Sequence, residues 1–214
     1  MIIEQWTGPP VETHTYLLVD EPTRTAWVID APLDTAAPVL EHLQRHGLQA
    51  ERLILTHGHF DHILDVTRYV QAGIPVSISP REQALLRAPQ TQMFGLPYPM
   101  PEFEPDEELA EGDTLQLGED NWVVWDVPGH SPGHVLLYNA GCDLVVGGDL
   151  LFRSGYGRVD LPGSDPKQMA NSLRRLLNLP DQTRVLPGHG PETTIGTERG
   201  WLQELLADPN SARL

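Results

Sequence analysis

Four short apolar runs in this chain each stop at a glycine-bearing turn that carries histidine or aspartate. Arg52-Leu53-Ile54-Leu55 leads into Thr56-His57-Gly58-His59-Phe60-Asp61-His62, and Trp122-Val123-Val124-Trp125-Asp126-Val127 into Pro128-Gly129-His130. Leu144-Val145-Val146 leads into Gly147-Gly148-Asp149, and Thr183-Arg184-Val185-Leu186 into Pro187-Gly188-His189. Short runs of this composition, bounded by turn residues, read as strands. In a layered α/β structure, ligand-binding groups gather beyond strand ends, because the sheet fixes the loop bases while glycine lets the backbone turn sharply. The chain is therefore expected to be α/β, with its chemistry collected beyond the ends of these strands.

The segments around those strands supply the remaining layers. Thr13-His14-Thr15-Tyr16-Leu17-Leu18-Val19-Asp20 and Thr25-Ala26-Trp27-Val28-Ile29-Asp30 flank Glu21-Pro22-Thr23-Arg24 and predict an antiparallel hairpin. A helix follows, with Asp34 as its expected cap, Ala36, Val39, Leu40 and Leu43 on one face, and Gly47 ending it in a left-handed backbone. Asp165-Pro166-Lys167-Gln168 is a second helix start, pairing a capping carboxylate with proline at the first position, and Met169, Leu173, Leu176 and Leu177 share its buried face. A last helix is expected from Thr197 to Ala207, with Trp201, Leu202, Leu205 and Leu206 inward and Pro209 beyond its end. Residues 88–105 break the pattern with Pro89, Pro97, Pro99, Pro101 and Pro105 beside Met93, Phe94 and Tyr98. A loop of this length is usually functional or mobile, and two readings stand: an apolar lid or a surface excursion.

With 214 residues and no linker, repeat or low-complexity run, the chain is expected to form one domain over 1–214. Its formal net charge of −16, from 30 acidic against 14 basic side chains, repels a phosphate backbone, so a nucleic-acid partner is not expected. No stretch approaches the ~18 consecutive apolar residues of a membrane span, and Met1 to Trp6 lacks the basic-then-apolar plan of a signal peptide. A cytoplasmic protein with no membrane partner is expected. Cys142 is the single cysteine, which rules out an intramolecular disulfide or a thiolate cluster; it falls in a sequence that predicts a turn between strands, Asn139-Ala140-Gly141-Cys142-Asp143, and reads as structural.

Any metal must then be held by imidazole and carboxylate. His57, His59, Asp61 and His62 crowd into one short segment, too dense for a set of unrelated structural histidines. In an extended stretch, residues two apart point the same way, so His57 and His59 can grip one ion while the following turn aims Asp61 and His62 at another. Such donors suit zinc, iron, manganese or cobalt. His14, His42 and His46 belong to no motif, and His42 and His46 are expected to be solvated on a polar helix face.

Together, Thr56-His57-Gly58-His59-Phe60-Asp61-His62, Pro128-Gly129-His130-Ser131-Pro132-Gly133-His134, Gly148-Asp149 and Pro187-Gly188-His189-Gly190-Pro191 resemble the metallo-β-lactamase superfamily in order and separation. Residues 151–163 and 193–199 are similar to its short bacterial glyoxalase II-like branch. The resemblance implies a four-layer αβ/βα sandwich. It implies that His57, His59 and His130 hold one metal, that Asp61, His62 and His189 hold the other, and that Asp149 bridges them. His134 would support the ligands from outside the coordination sphere. Asp30 matches an acidic residue that braces the metal loop in this fold, with a plain turn or helix-start carboxylate as the alternative. The implied cofactors are two divalent ions, zinc first, with iron or manganese as alternatives.

The implied reaction is hydrolysis of a thioester of a small-molecule substrate, hydroxyacylglutathione-like. Two ions about 3.5–4 Å apart bring a shared water toward neutral pKa, and Asp61 can orient the resulting hydroxide or take its proton. Arg158 occupies the position of a basic residue that contacts the glutathione carboxylate in glyoxalase II, with an internal ion pair to Asp160 as the competing role. Two departures weigh against glutathione: Asp160 stands where the larger enzymes have tyrosine, and the separate helical C-terminal glutathione-binding domain is not expected here. The alternatives are a persulfide dioxygenase with one iron, a lactonase or other ester hydrolase of the same fold, and a non-catalytic metal protein.

Overall fold

The computed structural model describes residues 1–88 and 90–207. Pro89 in the proline-rich loop and Pro209 beyond the last helix lie outside the described residues. The contacts of the chain group into two compact units: Met1–Leu109 with Gln116–Glu119, and Ala110–Leu115 with Asp120–Leu214. Among the described residues no helix is long and apolar enough to cross a membrane.

The first unit is built on a mixed six-stranded sheet of β1 (Ile2–Gly8), β2 (Thr13–Asp20), β3 (Thr25–Ile29), β4 (Gln49–Ile54), β5 (Val76–Ile78) and β6 (Glu107–Glu108), in that spatial order. β1, β2 and β3 pair antiparallel, so the expected hairpin is present; β3 through β6 run parallel. The step from β3 to β4 crosses over through α1 (Ala36–His46), whose Ala36, Val39 and Leu43 are buried and whose Leu40 is half-buried. With Val66 and Tyr69 of α3 (Val66–Gln71), they cluster with Leu17, Val19, Val28 and Leu53. Successive strand residues point to opposite faces, and Tyr16, Leu18, Trp27 and Ile54 are buried too, so both faces of these strands are covered.

Two local expectations need correction. Asp34 does not cap α1: it sits at φ 64°, outside the helix, and Thr35 is the N-cap without a side-chain bond. The first helical amide, Ala36 N, donates instead to Asp65 Oδ2 at 2.9 Å, a partner supplied by the chain 29 residues on. His42 is not simply solvated either. It is half-buried, edge-on to Trp6 with ring centroids 5.3 Å apart and stacked on exposed His46 at 4.3 Å. Gly47 ends α1 as expected, at φ 58° and ψ 40°.

The second unit carries the other sheet, ordered β14 (Thr193–Thr194), β13 (Arg184–Pro187), β10 (Leu144–Gly148), β9 (Val135–Asn139), β8 (Asp120–Asp126) and β7 (Thr114–Leu117), with a small ribbon of β11 (Leu151–Phe152) and β12 (Gly155–Tyr156). β10 and β13 are parallel; β8, β9 and β10 pair antiparallel. α6 (Pro166–Leu176) begins as the sequence predicts: Asp165 accepts from the amides of Lys167 and Gln168, and Pro166 takes the first turn, where a missing amide proton costs nothing. Its Met169, Leu173 and Leu176 join Val127, Leu136, Val145 and Val185, and Ile195 and Leu202 of α7 (Ile195–Ala207), in the unit's core. Each such side chain contributes about 1.5–3 kcal/mol by leaving water. Trp201, Leu205 and Leu206 are half-buried against the same cluster. Cys142 is exposed in the β9 to β10 turn, where Asn139 Oδ1 accepts from the amides of Gly141 and Cys142.

Short helices lie at the start of the proline-rich stretch. α4 (Gln83–Leu86) precedes it and α5 (Gln90–Met93) opens it, with Gln90 and Thr91 buried and Met93 and Phe94 exposed. Leu86, Arg87, Pro99, Met100, Phe103 and Pro105 help line a cavity of about 610 Å³ in the first unit.

Candidate metal centre

In each unit two adjacent parallel strands, β3 with β4 and β10 with β13, deliver side chains of the candidate centre to one edge of the sheet, which explains how residues far apart in sequence come together; His130 follows β8 of the second sheet. In the first unit Ile29 of β3 stands opposite Ile54 of β4, and Asp30 N donates to Ile54 O at 2.9 Å. Asp30 and Thr56 therefore emerge at one edge. Asp30 adopts a left-handed φ of 61°, a conformation that aspartate tolerates better than most residues. Its carboxylate, 2% exposed, accepts from Thr56 N at 2.7 Å, Thr56 Oγ1 at 2.8 Å and His62 Nδ1 at 2.8 Å.

This network sets the imidazoles. Thr56 Oγ1 is also 3.0 Å from His57 Nδ1. The hydroxyl has one proton, directed at Asp30, so His57 Nδ1–H donates to the threonine oxygen. His57 and His62 are both held as Nδ1-protonated tautomers, with Nε2 carrying the coordinating lone pair. His57 and His59 rings lie 4.8 Å apart and His57 and His62 rings 4.1 Å apart. The short helix α2 (Phe60–Ile63) starts just after His59 and turns Asp61 and His62 away from the extended segment. Asp61 Oδ2 is 3.4 Å from His62 Nε2 and accepts 2.7 Å from Thr13 Oγ1 at the start of β2. All four candidate ligands are buried.

In the second unit Gly148 of β10 stands opposite Pro187 of β13, and Gly188 N donates to Gly148 O at 2.8 Å. Asp149 and His189 emerge side by side. Asp149 Oδ2 is 3.3 Å from His130 Nε2 and 3.4 Å from His189 Nε2, so one carboxylate oxygen faces two imidazoles. His130 donates Nδ1–H to Arg158 O at 2.8 Å, which fixes its tautomer in the same sense. Two glycines make this possible. Gly129 sits at φ 140°, where a Cβ would fall 2.3 Å from Met169 N; at Gly157 a Cβ would fall 1.9 Å from Asp149 O.

His134 is fully buried, and its Nε2 accepts from Asp149 N at 3.2 Å. It holds the backbone of a candidate ligand. The Arg158 guanidinium makes a two-pronged contact with Asp160, at 2.7 and 2.8 Å, and its side chain is 58% exposed. Their mutual hydrogen bond is the main reason that Arg158 is pushed up and Asp160 down from their ordinary pKa values. The Arg158 guanidinium thus rests on Asp160, and its main-chain carbonyl holds His130.

Several supporting residues were invisible to spacing arguments. Thr56 adjoins the motif and could have been suspected as a relay. Thr13, Glu82 and Gln90 carry no local signal: each reaches the metal loop from a distant segment. In each unit the candidate donors are imidazoles and carboxylates, buried except for half-buried His189, a set that fits divalent transition metals.

Comparison with known proteins agrees with this chemistry. Residues 8–189 match the metallo-beta-lactamase superfamily. A protein named probable metallo-hydrolase YqgX from Bacillus subtilis is 35% identical over 89% of this chain and 90% of its own. Hydroxyacylglutathione hydrolase GloC from Haemophilus influenzae is 34% identical over 85% and 88%. Among solved structures, BLEG-1 B3 metallo-beta-lactamase superimposes with a TM-score of 0.85 at 32% identity, covering 94% of this chain and 99% of that one. TTHA1623 in a di-iron-bound form gives 0.82 at 40% identity, covering 92% and 97%. ETHE1 from Myxococcus xanthus gives 0.78 at 27% identity, covering 100% and 85%. The chain has the metallo-β-lactamase fold and belongs to the metallo-β-lactamase superfamily.

Proposed function

We propose that this chain is a metal-dependent hydrolase cleaving a thioester of the hydroxyacylglutathione class. In this reading His57, His59 and His130 would hold one divalent ion, Asp61, His62 and His189 would hold the second, and Asp149 would serve both. The observation that carries it is the Asp149 carboxylate oxygen set between His130 and His189, an arrangement suited to a shared ligand.

Such a donor set would hold two divalent ions, which when bound would supply Lewis acidity for activating water and polarising a carbonyl oxygen. The chain's own groups do the rest. Thr13 holds the Asp61 rotamer, so that this carboxylate can orient the attacking water or accept its proton. Asp30 and Thr56 keep His57 and His62 from swivelling. A thiolate leaving group needs little help from a proton donor, which suits a site whose buried titratable groups are assigned to metal or to holding its ligands. The name of the Haemophilus relative supports the same substrate class. Zinc is the proposed metal, and the proposed partner is a small molecule.

The Arg158 to Asp160 pair is compatible with substrate contact. An exposed ion pair is worth about 0–1 kcal/mol, so an incoming carboxylate can displace Asp160. A second reading, persulfide oxygenation with one iron held by two histidines and an aspartate, draws on the likeness to ETHE1, while the di-iron form of TTHA1623 supports iron as the alternative metal. One comparison separates them: elemental analysis of the purified protein, with hydrolysis of S-D-lactoylglutathione measured beside oxygen uptake on glutathione persulfide. Two metals per chain with thioester hydrolysis is expected; one iron with oxygen uptake would replace the hydrolase reading.

A further inference from the structure

Two side chains that belong to no recognised motif take hold of the metal loop by its backbone. Glu82, fully buried at the end of the short turn Pro80–Glu82, accepts from Gly58 N at 2.7 Å through Oε2. Gln90, 5% exposed at the start of α5, donates to Gly58 O at 2.8 Å and accepts from Phe60 N at 3.1 Å. The same Gln90 amide donates to Leu85 O at 2.7 Å, anchoring itself to α4.

These bonds fall on either side of His59. A loop buried beyond a strand end has no ladder to satisfy its peptide groups, and leaving one unpaired costs about 1–3 kcal/mol. Here Glu82 and Gln90 supply the missing partners, and in doing so fix the peptide planes that set where His57 and His59 point. Gly58 permits the approach: a Cβ there would lie 3.1 Å from Glu82 Oε2 and 3.3 Å from both Leu85 Cβ and Leu86 Cδ2. Phe94, just beyond α5, adds a ring contact to Phe60 at 5.5 Å.

We propose that Glu82 and Gln90 are positioning residues for the His57 and His59 ligand pair, clamping the metal loop to the segment that opens the proline-rich stretch. Metal affinity and the order of that segment are then linked, because whatever pulls Gln90 away releases the peptides around His59. The proposal rests on the metal centre proposed above, and not on the thioester.

The test uses the full chain, stripped of metal and titrated with Zn(II) against a competing chelator and with Co(II) followed by visible absorption. Gln90→Ala and Glu82→Ala are expected to weaken metal binding 10- to 100-fold, the usual loss when a partner of a ligand is removed, and to alter the Co(II) spectrum at saturation. Glu82→Gln, which keeps an acceptor for Gly58 N, should restore most of the affinity. Gln92→Ala, exposed on the same helix, should match the wild type. If Gln90→Ala does not fold, Gln90→Glu is read in its place: it keeps the acceptor for Phe60 N and loses both donors, and the same weakening is expected. Unchanged affinity and spectrum in folded Gln90 and Glu82 variants would overturn the clamp alone. A wild-type chain that takes up neither ion would overturn the clamp and the metal centre together.

Discussion

Asp30 Oδ2 lies 2.8 Å from His62 Nδ1 and 2.8 Å from the Thr56 hydroxyl that in turn meets His57 Nδ1 at 3.0 Å. One buried carboxylate thus orients two imidazoles, one directly and one through a relay. Asp30→Ala should lower metal affinity about 10- to 100-fold, as loss of an outer partner commonly does. Thr56→Val should lower it less, because it uncouples His57 while His62 keeps its partner. Chelator competition on folded protein measures both; equal and negligible losses would reduce Asp30 to a turn residue.

His130 and His134 are four residues apart but differently engaged. His130 Nε2 faces the Asp149 carboxylate, whereas His134 Nε2 is taken by the Asp149 amide. His130→Ala should therefore abolish binding of one ion and reduce hydrolysis by orders of magnitude. His134→Ala should leave metal content closer to normal. Elemental analysis of the two folded variants checks this, and equal metal losses would show the assignment to be wrong.

The strand-end histidines and aspartates were legible because the information is local: an apolar run, a glycine, then a donor. The α6 start was legible for the same reason, since Asp165, Pro166 and Gln168 act within a single turn. What escaped was long-range. The α1 cap was misread because its donor is satisfied by Asp65, not by neighbouring Asp34, and no propensity encodes that choice. Thr13 could not be linked to Asp61, nor Gln90 to Gly58, because those bonds depend on how the chain folds back and not on spacing. The Arg158 to Asp160 pair was legible as a pairing two residues apart, and the guanidinium does rest on Asp160.

Asp165 offers a stability test away from the metals. Its carboxylate is held below the usual aspartate value, chiefly by the Gln168 backbone amide, then by the Gln168 side chain and the Lys167 amide. A group depressed in the folded state contributes stability above its unfolded pKa and loses it as pH falls through the folded one. Asp165→Ala should therefore cost about 1 kcal/mol near neutrality, the usual worth of an N-cap. The gap to wild type should narrow once the pH drops below the ordinary aspartate value of 3.8. Urea unfolding at neutral and acid pH measures it; a gap that stays constant would show that the cap's charge is irrelevant.

Arg158 decides how far the glutathione reading extends. Its carbonyl holds His130, a role that any residue with the same backbone can fill, so Arg158→Ala should leave metal content unchanged. Its guanidinium is engaged only with an exposed aspartate among the contacts described above, and such a pair exchanges readily for a substrate carboxylate. One charge-assisted contact is worth about 1.5–3 kcal/mol, so kcat/KM on S-D-lactoylglutathione should fall roughly 10- to 150-fold, mainly through KM. An uncharged thioester should be hydrolysed almost as before. Asp160→Asn sharpens the comparison, because releasing the guanidinium should lower KM for the anionic substrate alone. Similar losses on both substrates in Arg158→Ala would assign the side chain to holding its loop, and the preference for an anionic thioester would then have to come from elsewhere in the site.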